Sequence, residues 1–111
     1  MTGGETGALT PMPTFVLIFE DDASVAVAPE LRATHVAYLQ SLGAQAVLAG
    51  PTFSEDQAVI GRVIVADFPT LSDARAFADA EPLVKAGRAR VWRAAAMTVI
   101  QKDGVFKTSG G

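Results

Sequence analysis

The strand-like stretches of this 111-residue chain are apolar on both sides, and that limits its folds more than any other feature. Between Thr14 and Glu20 the run Phe15-Val16-Leu17-Ile18-Phe19 has no polar alternation. From Ala58 to Phe68, one side offers Val59, Val63 and Val65 and the other Ile60, Ile64 and Ala66. Near the C-terminus, Val91, Ala95, Met97 and Val99 alternate with Trp92, Ala94, Ala96 and Ile100, leaving Arg93 and Thr98 as the polar exceptions. An antiparallel sheet with one wet face would alternate apolar and polar residues, so this one calls for cover on both faces. Helices of the same chain can cover one. A second copy, packed sheet on sheet about a twofold axis, is the expected cover for the other.

The intervening segments have helical signals. Pro29 suits a first helical turn, after which Leu31, His35, Tyr38, Leu39 and Leu42 recur at three- and four-residue spacing until Gly43, predicting a helix over 29–42. Ala46 to Ala49 reads as a short strand stopped by a rigid corner at Gly50-Pro51, and a hairpin leads into the strand at 58–68. Thr70 followed by Asp73 resembles an N-cap, and Leu71, Ala74, Phe77 and Ala78 share one helical face. Glu81-Pro82 breaks that helix, Pro82 opens a short turn ended by Gly87, and a last strand is expected from 89 or 90 to 101. The order β-α-β-β-α-β is that of a ferredoxin-like α+β domain, an antiparallel sheet with two helices on one face. The domain is expected over 14–101, with a flexible Gly- and Pro-rich extension at 1–13 and a tail at 102–111.

Composition narrows the chemistry. The net charge is −3 and the nine Lys and Arg are scattered, so no nucleic-acid partner is expected. With no Cys and a single His, the chain offers no disulfide, thiol nucleophile or zinc cage; neither a metal nor a cofactor is expected. No apolar run approaches the roughly 20 residues that span a bilayer, and the start lacks a secretory pattern, so a cytoplasmic protein without membrane contact is the expectation.

His35 is the one neutral-range general base available, and it falls within the apolar stripe of its helix. It is either a satisfied core histidine or a base in a pocket. Arg32 and Tyr38, one turn to either side, are candidates to line that pocket, as are Gly50 and Pro51 at a strand end. Glu81 is the candidate carboxylate to orient the imidazole, Asp79 being the alternative, although a cap on the turn after Pro82 would also account for Glu81. Asp21-Asp22 reads as a solvated turn. Two functions remain open: an enzyme in which His35 moves a proton on a small molecule, and a non-catalytic homodimer that binds one.

The segments Arg32-Ala-Thr-His35-Val-Ala-Tyr38-Leu39, Leu42-Gly43, Val47-Leu48-Ala49-Gly50-Pro51 and Glu81-Pro82-Leu-Val84-Lys85-Ala86-Gly87 resemble, in order and spacing, the YCII-related family of small bacterial proteins. The resemblance covers about residues 14–100. It implies a dimeric α/β-barrel of ferredoxin-like subunits with a site built on a His and an Asp, the His matching His35. Members linked to chemistry resemble cofactor-free lyases, such as those that dehydrochlorinate hydroxyquinol-type aromatics. Two positions depart from the pattern: Glu81 stands where the family has Asp before Pro, and Leu83 where it has an aromatic residue.

Overall fold

Strand β1 (Thr14–Asp21) runs through the middle of the sheet and buries Phe15, Leu17 and Phe19 on one face. The structure, a computed structural model, describes residues 12–106; of the expected N-terminal extension, 1–11 lie outside the described residues, as do 107–111 of the tail. Helix α1 (Pro29–Gln40) starts on its proline and is followed by one 3-10 turn (Gly43–Gln45). Strands β2 (Ala46–Phe53) and β3 (Val59–Asp67) form the hairpin, α2 (Leu71–Asp79) and the single-turn α3 (Pro82–Lys85) follow, and β4 (Ala89–Met97) closes the sheet. The strand order is β2-β3-β1-β4, every pair antiparallel. This is the ferredoxin-like α+β architecture the element order predicts.

Local chemistry accounts for the element ends. Thr70 caps α2, its hydroxyl accepting from the Asp73 amide at 3.1 Å. Glu81 does the same for α3, accepting from the Leu83 amide at 2.9 Å. The last strand is shorter than expected: β4 stops at Met97, and Gln101–Lys102 pairs with Val105–Phe106 as a small separate hairpin, β5 and β6.

One expectation is corrected. Gly50-Pro51 does not end β2 as a corner; the strand runs on through it to Phe53, with Pro51 opposite Arg62. Proline lacks the N–H that a central strand must donate, but among the described residues β2 is an edge strand, paired only with β3, so its outward side asks for no donor.

The core lies between the sheet and the helices, where Phe15, Leu17, Phe19, Ile64, Ala66 and Phe68 pack with Leu42, Ala74 and Ala78. Aromatic rings continue it outward: Phe68 is 5.5 Å from Phe77, which stacks on Tyr38 at 4.5 Å. The other face of the sheet carries Val16, Ile18, Leu48, Val65 and Met97, with Leu48 57% and Met97 40% exposed.

A buried histidine beside a mixed-charge pocket

Helix α1 turns His35 inward, leaving the residue 6% exposed in the gap between that helix, the sheet and the start of α3. A buried imidazole needs partners for both nitrogens, and each has one. Nδ1 lies 2.9 Å from Glu81 Oε1, the same oxygen that caps α3 through the Leu83 amide. One atom thus makes both contacts that the sequence leaves as alternatives for Glu81, the cap of α3 and the approach to the imidazole. Glu81 is wholly buried, and its second oxygen, Oε2, has no hydrogen-bond partner among the described residues. Asp79, the alternative carboxylate, is exposed at the end of α2.

The other nitrogen, Nε2, is 3.2 Å from Arg62 Nη1. An arginine has only donors, so Nε2 presents its lone pair to Arg62 and Nδ1 carries the proton that goes to Glu81. Arg62 stands on β3 opposite Phe19, on the inner face of the sheet, and is itself buried. Asp21 holds the guanidinium, Arg62 Nη2 donating to Oδ1 at 2.9 Å and to Oδ2 at 2.7 Å. Arg88 reaches the same Asp21 at 3.4 Å and also donates to the Val25 carbonyl. Thus four side chains run in sequence, Glu81, His35, Arg62 and Asp21, with Arg88 closing the far end.

This chain of contacts borders a pocket of about 380 Å³, a size suited to a small organic molecule. Of the candidates named from the sequence, His35, Arg32, Gly50 and Pro51 line it, together with Asp21, Arg62 and Arg88. Val27, Leu39, Val59 and Leu83 supply its apolar wall. Tyr38 is corrected: it lies away from the pocket, one turn beyond His35, where it stacks on Phe77 and donates to the Phe77 carbonyl at 2.8 Å. Burial, and then the negative charge of Glu81, push the Tyr38 phenol above its ordinary value. Asp21 is corrected as well. It ends β1 with its side chain only 2% exposed and paired to two arginines, whereas Asp22 forms the exposed turn with Ser24.

The match of a YCII-related domain model over residues 12–98 decides the family. The chain belongs to the YCII-related family. No curated protein matches the sequence. Among solved structures it is similar to 5-chloro-2-hydroxyhydroquinone dehydrochlorinase from Burkholderia phenoliruptrix, in complex with 2,5-dihydroxybenzoquinone, at 23% identity and a TM-score of 0.61. That likeness covers 78% of this chain and 92% of the dehydrochlorinase. It shows a shared fold, and in this YCII-related chain Glu81 fills the place before Pro82 that the resemblance assigns to Asp. The extra methylene does not prevent contact, since Glu81 reaches both His35 and the α3 amide. No helix among the described residues is long and apolar enough to cross a membrane.

Proposed function

We propose that this YCII-related protein is a cofactor-independent enzyme of the lyase or isomerase type, in which His35 takes a proton from a small aromatic or enolisable molecule held in the pocket. The observation that carries the reading is the contact of His35 Nδ1 with the buried Glu81, which leaves Nε2 as the basic nitrogen, beside Arg62 of the pocket lining. In the proposed step a C–H or O–H proton of the substrate moves to Nε2, and its electron pair enters the conjugated system. In a lyase, that pair then expels a leaving group from the neighbouring carbon. Glu81 fixes the tautomer and stabilises the imidazolium that forms. The similar dehydrochlorinase, named for an elimination from a chlorinated hydroquinone, supports this class of chemistry.

The same reading includes a homodimer formed through the open face of the sheet. Its support is the apolar Val16, Ile18, Leu48 and Met97, which no helix among the described residues covers.

A second reading, non-catalytic binding of a small molecule, draws on Arg62, which occupies Nε2 in this structure. The two separate in a conversion screen of hydroxylated and halogenated aromatics and small enolisable acids, followed by mass spectrometry. The enzyme reading expects a converted compound whose kcat/KM falls about a hundredfold or more in His35→Ala. Full turnover by His35→Ala would contradict the assignment, and binding without conversion of any compound would favour the second reading.

A further inference from the structure

The pocket carries a charge opposite in sign to that of the chain. The protein as a whole has a net charge of −3, yet three arginines, Arg32, Arg62 and Arg88, line the cavity against one carboxylate, Asp21. Adding Glu81 behind the imidazole still leaves one cationic group in excess when His35 is neutral. The central guanidinium is also incompletely used. Asp21 takes Nη2, His35 takes one N–H of Nη1, and Nε is buried with no hydrogen-bond partner among the described residues. A buried donor without an acceptor is costly, and a guanidinium fixed by a carboxylate at one end is oriented to bind an oxygen at the other.

We propose that Arg62 is the anchor for an anionic oxygen of the ligand, which is a small monoanion of the phenolate, enolate or carboxylate kind. The anion takes Nη1 in place of His35, so that binding of the charged oxygen and release of Nε2 are one event. Asp21 is the positioning residue: its two oxygens hold Nη2 and keep the guanidinium facing the cavity while the other edge changes partner. A neutral molecule of the same shape gives Arg62 no charged oxygen to exchange for Nε2 and leaves the excess positive charge uncompensated. The inference rests on the proposed function only in placing the reactive nitrogen at Nε2; the anion site stands on Arg62 whether or not His35 moves a proton.

The test uses benzoate and its neutral counterpart benzamide as probes on the full chain, followed through the ring signals of His35, the only histidine. Benzoate is expected to shift those signals saturably, with benzamide at least about tenfold weaker, and Arg62→Met is expected to lose about tenfold or more of the benzoate affinity. Because Arg62→Met leaves Asp21 buried with one partner fewer and could impair folding, Arg62→Lys serves as a second variant, expected to bind benzoate more weakly than wild type but still better than benzamide. His35→Gln, followed by calorimetry, is expected to keep its preference for benzoate even though the proposed function has it lose turnover, so the two readings fail separately. Equal response to both probes, no response to either, or full benzoate affinity in a folded Arg62→Met protein would overturn the proposal.

Discussion

Glu81 Oε1 lies 2.9 Å from His35 Nδ1 and, at the same time, 2.9 Å from the amide that opens α3. One buried oxygen therefore ties the imidazole to the backbone that follows it, so the orientation of His35 depends on the end of a helix 46 residues away. Removing that oxygen orphans a ring nitrogen and a backbone amide together.

Glu81→Ala is accordingly expected to lower stability by about 2–4 kcal/mol, since two buried donors lose a charged acceptor. Glu81→Gln keeps an acceptor of the same shape and is expected to lose less. Urea unfolding of both variants checks the order; an alanine variant as stable as wild type would mean that the shared bond contributes nothing to folding.

Tyr38 gives a pH dependence of defined sign. Its phenol is raised above the ordinary value of 10.0 by burial first and by Glu81 second, so the unfolded chain ionises before the folded one. The stability Tyr38 contributes is thus complete below about pH 10 and declines as pH rises from there towards the folded value. Thermal melts from pH 8 to 11 should show Tyr38→Phe about 1 kcal/mol less stable at pH 8, through loss of the Phe77 bond, with the gap closing above pH 10. A constant gap would contradict the assigned direction.

Gly61 is required by close approach. A Cβ there would sit 2.1 Å from the Phe19 carbonyl oxygen, a backbone atom that cannot swing aside. Gly61→Ala should cost about 2–3 kcal/mol or prevent folding, measured by urea midpoint. It would also displace Phe19 against Arg62, its cross-strand neighbour, and so disturb the pocket.

The open sheet face predicts association. Light scattering at micromolar concentration should give about twice the 11.5 kDa chain mass. Leu48→Glu, which alters a residue already 57% exposed, should shift the protein to monomer with little loss of chain stability. A wild-type mass of a single chain would refute the interface.

Much of this architecture can be read from particular residues. Pro29, Thr70 and Pro82 mark helix starts by chemistry that acts within a few residues, and the short β-branched and aromatic run of β1, bounded by Pro13 and Asp21-Asp22, favours a strand. His35 stands out because it is polar in an apolar stripe. Gly50-Pro51 misleads because turn chemistry and an edge strand tolerate the same residues, and only strand order tells them apart. Arg62 and Asp21 escape notice for another reason. Counted by twos from Ile64 and from Phe19, both fall on the inner face, and a charge there demands a partner; that signal is present but obscured by neighbours apolar on both sides. Arg88 and the sharing of Glu81 Oε1 arise from contacts between distant segments and leave no local pattern. Tyr38 is one turn from His35, yet that turn carries it over α2 and out of the site.

The central claim is that His35 donates from Nδ1 to Glu81 and keeps a lone pair at Nε2, the nitrogen beside Arg62. Nitrogen-15 spectra of the single imidazole test it directly, because protonated and unprotonated ring nitrogens resonate far apart and no assignment by mutation is needed. For the neutral ring the account predicts a protonated Nδ1 and a bare Nε2, with the Nδ1 signal moving in Glu81→Gln. A proton on Nε2, with Nδ1 bare and indifferent to Glu81, would contradict it.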